Sequence, residues 1–377
     1  MNKSMAAPAT VVLLGALALG SDLPQASGSE SGTAAARASR HYSLPATPEN
    51  VQWGWYDTNE KPRLVIHSGD TVSIETISHS LGQVRPGVGM DELVKLRKEN
   101  DGGGPHSITG PIYVEEAEPG DTLEVRILRI VPKPDAFNFN LPGKDFPTVG
   151  LLAAEFPEGF VRYFHLDLAK MQTEFKPGIV IDVKPFPGTF AVGVDPNEPD
   201  AKAGPPIRDA KGRTSTLRPW KNGSNMDLNE LQAGSTLYLP VFLKGGLIWT
   251  GDSHCRQGNG EVNLTALECA YKEIEIQPIV RKDLKTEWPW AETKTDWIFM
   301  GYDEDLNQAM KIAVEQTVQW LATQNIVPMS REEAYALTSM VGDCRVTQVV
   351  DIRKGVHCMI PKHVFVGYRT AHGRNGA

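Results

Sequence analysis

Apolar and polar positions along the chain alternate in short phrases, with few long runs of either kind. Leu64-Val65-Ile66 leads through the turn Ser68-Gly69-Asp70 into Val72, Ile74 and Thr76, which share one face as a period of two requires. The arrangement returns where Ile112-Tyr113-Val114 passes through Glu118-Pro119-Gly120-Asp121 into residues 123–130. A third copy, Leu231-Gln232-Ala233-Gly234-Ser235, feeds residues 237–242. Each phrase predicts a glycine-containing turn feeding an alternating strand, a recurrent hairpin unit. The spacing is too irregular for a solenoid.

A helical period gathers late. Apolar residues at 90, 93, 94 and 96 predict a short helix over 90–100. From Asp303, taken as N-cap, Leu306, Met310, Ile312, Ala313, Val314, Val318 and Leu321 form an apolar stripe ending near 323. Ser330 with Glu333 three residues on is a capping box, opening a helix that runs to Met340 before Gly342. Strands over 345–350 and 356–360 close the chain. The expected class is α+β and β-dominated, with β-sandwich- or barrel-like hairpin units and helices mainly in the C-terminal third. The division that follows is a signal segment over 1–28, a flexible linker over 29–47, a mainly β catalytic region over 48–280 and a C-terminal α+β region over 281–377 packed on it. Residues 195–222, polar and rich in Pro and Gly, read as a long loop of the kind that carries function.

Composition narrows the function. A formal net charge of −8 argues against nucleic acid as a partner, because phosphate binding needs a basic surface. Lys3 and the apolar run 11–19, followed by small residues, make a leader for export to a periplasm or beyond. That run is too short to span a bilayer, so no stable membrane span is expected. Cys255, Cys269, Cys344 and Cys358 are an even set with three pairings open, or else buried thiols.

The candidate chemistry lies between Asn225 and Glu268. Asp252 and His254, two apart in an extended segment, project to the same side and suit two ligands of one metal ion. Glu261 is expected to open the next strand, facing that pair if a hairpin forms across residues 255–260, whereas Glu268 has the opposite parity and needs a bulge to join them. On spacing alone, a turn with satisfied hydrogen bonds explains Asp252 and His254 better than a metal site does. Cys255 beside His254 is not a nucleophile with its base, since neighbours on a strand face opposite ways. His79 and His106, each beside a turn, are further candidates to complete a site.

Larger blocks carry a resemblance. These are Thr109-Gly110-Pro111-Ile112-Tyr113-Val114-Glu115 with residues 117–123, then Asn225-Met226-Asp227 with residues 234–241. The most specific is Gly251-Asp252-Ser253-His254 with Gln257-Gly258, Gly260-Glu261-Val262 and Glu268. In this order the chain resembles the acetamidase/formamidase family over essentially its whole mature length, and Ser78-His79 and His106 are similar to an exported branch. The resemblance implies hydrolysis of small linear amides, formamide- or acetamide-like, to a carboxylate and ammonia. It implies a divalent metal on Asp227, Asp252 and His254, zinc by the mixed ligand set, with calcium or magnesium as alternatives. Glu261 and His106 would be catalytic, Asn225, Gln257 and Glu268 would bind substrate, and the assembly would be a homo-oligomer. The chain departs from the family at Lys221-Asn222-Gly223-Ser224, where His-Gly-Gly is common, and at Asn259, where Asp is common. These departures motivate an alternative, an exported small-molecule-binding protein of the same fold with weakened catalysis.

Overall fold

The computed structural model describes residues 37–200, 202 and 204–366. From Ser39 onward these belong to one compact unit. The expected signal segment lies outside the described residues. The described end of the expected linker is not flexible chain, because His41–Leu44 is a strand paired in parallel with Thr71–Ile74.

Two nine-stranded sheets dominate. The first runs in the order His41–Leu44, Thr71–Ile74, Tyr271–Arg281, Thr122–Pro132, Thr236–Pro240, Trp290–Glu292, Asp296–Asp303, Lys354–Pro361 and Asp343–Gln348. The second runs Gly223–Asn225, Phe186–Ala191, Ile248–Arg256, Leu267–Cys269, Asp135–Asn140 and Phe160–His165. Ser107–Val114 also pairs in it, joining Val51–Trp53 and Leu64–Ile66. One core cluster draws Val72, Val125, Ile127 and Leu237 from the first sheet and Ile112, Phe186, Phe190 and Ile248 from the second. Burying each such side chain contributes on the order of 2 kcal/mol, which is what draws the two sheets together.

The three repeated turn phrases are not hairpins, which corrects the expected units. Leu64–Ile66 and Ser107–Val114 belong to the second sheet, whereas the strands they lead into, Thr71–Ile74 and Thr122–Pro132, belong to the first. The third phrase likewise links Gly223–Asn225 to Thr236–Pro240. Each turn is a corner that carries the chain between sheets. Side-chain oxygens hold two of these corners: Asp70 accepts from the amide of His67 at 2.9 Å, and Asp121 from the amide of Glu118 at 3.0 Å.

The helices fall where the period indicates. Met90–Glu99 buries Leu93 and Leu96. Leu306–Thr323 buries Ala309, Ala313, Val318 and Leu321, but its cap is Asp305, which accepts from the amide of Gln308; Asp303 ends the preceding strand. That helix lies so close to the first sheet that a Cβ on Gly301 would stand 2.2 Å from the carbonyl oxygen of Ala309. Arg331–Val341 carries the capping box in full, Ser330 and Glu333 each accepting the other's amide. Among the described residues no helix is long and apolar enough to cross a membrane. Cys255 pairs with Cys269 and Cys344 with Cys358, so no cysteine is free.

The capping box predicts a measurable loss. Ser330→Ala should destabilise the protein by about 1 kcal/mol, seen as a lowered midpoint in denaturant. An unchanged midpoint would mean that the Arg331–Val341 helix is held by packing alone.

Candidate active site

The site is built where one strand changes neighbours. Along one edge, Ile248–Arg256 pairs with Phe186–Ala191 over its length. Along the other, its first half pairs with Ser107–Val114 and its second half with Leu267–Cys269. Asp252, at φ 47°, occupies the point of change between Gly251, opposite Ile108, and Ser253, opposite Cys269. A side chain there meets groups from both departing strands.

His254 lies directly across from Glu268. Their chain neighbours Cys255 and Cys269 point into the core between the sheets and form the first disulfide, while His254 and Glu268 project to the opposite face. The disulfide therefore pins the two strands immediately behind the pair. His79 completes this half: its Nε2 lies 2.8 Å from Asp252 and 3.4 Å from Glu268. His254 Nε2 lies 3.4 Å from Asp252 and 3.3 Å from Glu268.

Glu261 does not open a strand. It sits at φ 44° in the loop between Ile248–Arg256 and Leu267–Cys269, and the strand begins only at Leu267. Glu268, opposite His254, thus enters the site through strand pairing and Glu261 enters through the loop. The register shift lies on the His254 strand, between His254 and Arg256. Two backbone hydrogen bonds tie the loop to the C-terminal hairpin: Gly260 donates to Thr347 at 3.0 Å and Val349 to Gly260 at 3.1 Å. The same hairpin supplies Asp351, whose carboxylate comes within 4.8 Å of those of Asp227 and Glu261.

The other expected residues converge as well. Asn225 and Asp227 follow from the Gly223–Asn225 strand, and Thr189 donates to Asn225 at 2.8 Å. The amide oxygen of Gln257 accepts from His254 Nδ1 at 2.9 Å, and its amide nitrogen donates to the carbonyls of Asp227 and Thr347, both at 3.2 Å. Its amide is thus spent on holding His254. His106 Nε2 is 3.8 Å from Asp252, and Nδ1 is 2.9 Å from the hydroxyl of Thr216, which itself donates to the carbonyl of Gly103. Thr216 comes from the long 195–222 segment. Nothing in the local sequence pointed to Asp351, which lies some ninety residues beyond the motif and reaches the site only because the last hairpin folds back.

Charge sorts these groups into two sets. At His79 and His254 burial opposes the charged ring, but Glu268 and Asp252 outweigh it, raising His79 to about 9 and His254 well above the usual imidazole range. In return the imidazoles overcome burial at Asp252 and Glu268, holding Asp252 well below its usual value and Glu268 at about 2. Burial lowers His106 and keeps it neutral. The second set, Asp227, Glu261 and Asp351, is pushed upward by burial and by neighbouring carboxylates, with His254 only partly offsetting this at Asp227 and Glu261.

Five carboxylates (Asp227, Asp252, Glu261, Glu268, Asp351) therefore face three imidazoles (His79, His106, His254), all buried. Both carboxylate oxygens of Asp227, Oε2 of Glu268 and Oδ2 of Asp351 make no well-aligned hydrogen bond, although imidazoles lie 3.3 and 3.4 Å from Glu268 Oε2 and 3.6 Å from Asp227 Oδ1. Groups of three that could grip one ion include Asp227, Asp252 and His254, as well as His79, Asp252 and Glu268. Unmatched buried acceptors with imidazole nitrogen are a donor set that fits a divalent cation. Asn259, in contrast, is exposed and accepts from Asn229 at 3.0 Å. Its missing charge is not missing from this cluster.

Comparison with known proteins finds relatives named acetamidase and formamidase. An acetamidase of Mycolicibacterium smegmatis is 30% identical over 200 residues, which cover 42% of this chain and 49% of that protein. A formamidase of Methylophilus methylotrophus is 27% identical over 248 residues, or 56% of this chain and 60% of that one. The matched stretches thus span about half the length of these relatives. The crystal structure of an acetamidase from Yersinia enterocolitica superposes with a TM-score of 0.74 at 25% identity, covering 89% of this chain and 96% of that one. The model of the Acetamidase/Formamidase family matches residues 54–203 and 195–366, and the chain belongs to that family.

Proposed function

We propose that the protein hydrolyses the carbon–nitrogen bond of an amide, giving a carboxylate and ammonia, with the help of a divalent metal. One observation carries the reading: Glu261, a carboxyl raised by burial, lies within 4.8 Å of both His254 and Glu268, in a donor set fit for a metal. Asp227, Asp252 and His254, with Glu268 and His79 beside them, would hold the ion. Zinc suits the mixed nitrogen and oxygen donors, while the excess of carboxylate also admits calcium or magnesium. When bound, such an ion supplies polarisation of a carbonyl and a lowered pKa for water.

The chain's own groups account for the proton movements. Glu261 takes a proton from the attacking water as its oxygen bonds to the carbonyl carbon, and returns it to the nitrogen as the carbon–nitrogen bond breaks. A carboxyl with a raised pKa suits both halves of that transfer. Because the Thr216 hydroxyl donates to Gly103, His106 Nδ1–H donates to Thr216 and leaves the neutral ring's Nε2 as an acceptor. That lone pair would receive the substrate's N–H and orient the leaving nitrogen. Asn225 would bind the substrate, and Gln257 would act through its hold on His254. The leader pattern and the two disulfides support an exported location. The exposed position of Asn259 removes one ground for a weakened binding protein.

Glu261→Gln should lower kcat for ammonia release by about 10²- to 10⁴-fold with the unfolding midpoint unchanged, and an undiminished kcat would refute the role. Purified active protein should carry a divalent ion, and a chelator should abolish turnover reversibly; active protein free of metal overturns the metal half of the reading. Gly188 provides an independent check. A Cβ there would lie 2.6 Å from His254 Cε1 and 2.8 Å from Asp227 Oδ1. Gly188→Ala should therefore lose both metal and activity, and retention of both would show that these side chains are not ligands.

A further inference from the structure

Asp252, His254, Glu261 and Glu268 line one part of a cavity of about 520 Å³. Most of its remaining wall is apolar: Leu93 and Leu96 from the Met90–Glu99 helix, Phe139 and Leu141 beyond the neighbouring strand, and Leu217 and Ile352 from two loops. Of the other charged groups on the wall, Asp351 belongs to the acidic end, Arg97 lies 3.8 Å from Asp101, and Lys354 donates to the carbonyl of Glu304. At about 30 Å³ for each water-sized group, acetamide's roughly four heavy atoms would fill about a quarter of this volume. The rest would hold water, and where that water lies against Leu93, Leu96, Phe139, Leu141, Leu217 and Ile352 it finds no hydrogen bonds from their side chains and is readily displaced by apolar groups.

We infer that the preferred substrate is a primary carboxamide with an apolar acyl group of several carbons, aliphatic or aromatic, and that formamide and acetamide are poor substrates. The inference rests on the amide reading above. The carboxamide sits at the acidic end, and the acyl group lies along Leu93, Leu96, Phe139, Leu141, Leu217 and Ile352. Each methylene buried there strengthens transition-state binding about fourfold, so four of them amount to on the order of 10²-fold.

The test is ammonia release by the metal-loaded full chain from acetamide, butyramide, hexanamide and phenylacetamide, with binding of the same amides measured by calorimetry. kcat/KM should rise about 10²-fold from acetamide to hexanamide, and Leu217→Trp should cut the hexanamide-to-acetamide ratio by at least about tenfold. A flat or falling series, or a ratio indifferent to Leu217→Trp, overturns the inference while leaving amide hydrolysis intact. If no amide is turned over, the hydrolase reading fails and binding decides: hexanamide binding far more tightly than acetamide upholds the apolar acyl site, and equal or absent binding overturns it.

Discussion

The structure turns on the burial of many ionisable groups at one point, where the strand Ile248–Arg256 changes partners. Moving a charge out of water costs several kcal/mol even after relaxation, and here five carboxylates are buried together. The imidazolium-forming rings of His79 and His254 balance Asp252 and Glu268. The cationic neighbour of Asp227 and Glu261 is His254, its Nδ1 3.6 Å from Asp227, and it does not offset the burial of these carboxyls and Asp351. Keeping such a cluster buried raises the carboxyls of Asp227, Glu261 and Asp351 toward the protonated form, and a cation bound there would relieve the same repulsion.

Much of the surrounding architecture holds these groups against their repulsion. The Cys255–Cys269 disulfide and the direct pairing of His254 with Glu268 fix one side from behind. Gln257 ties His254 to backbone carbonyls on two other segments, and the C-terminal hairpin anchors the Glu261 loop through Gly260. Gly188 leaves the room that the imidazole and Asp227 occupy. Restraint from several directions pre-organises the site, which matters because small displacements of catalytic groups carry large rate penalties.

The cavity explains how one scaffold can separate chemistry from recognition. Its acidic end comes from strands and from loops pinned to them, while its apolar wall comes mainly from a helix and loops, with Phe139 added from the strand Asp135–Asn140. Membership of the family therefore speaks to the chemistry more directly than to the size of the acyl group.

The chain's own pattern determined what depends on neighbours in sequence. The period of two placed Asp252 and His254 on one face and turned Cys255 away; the period of 3.6 and the Ser330–Glu333 box located the helices. The resemblance of whole blocks to the acetamidase/formamidase family brought in Asp227, Glu261 and Glu268. Tertiary structure decided whatever depends on contact between distant segments. The repeated turns proved to be corners between sheets, because whether two strands around a turn pair or part is set by which sheet buries each one. Glu261 left the expected strand for a loop held by residues near 348, and Asp351 joined the site from that same hairpin. Local spacing could not reveal these, since electrostatic clustering and cavity shape arise only when segments far apart in sequence are packed side by side.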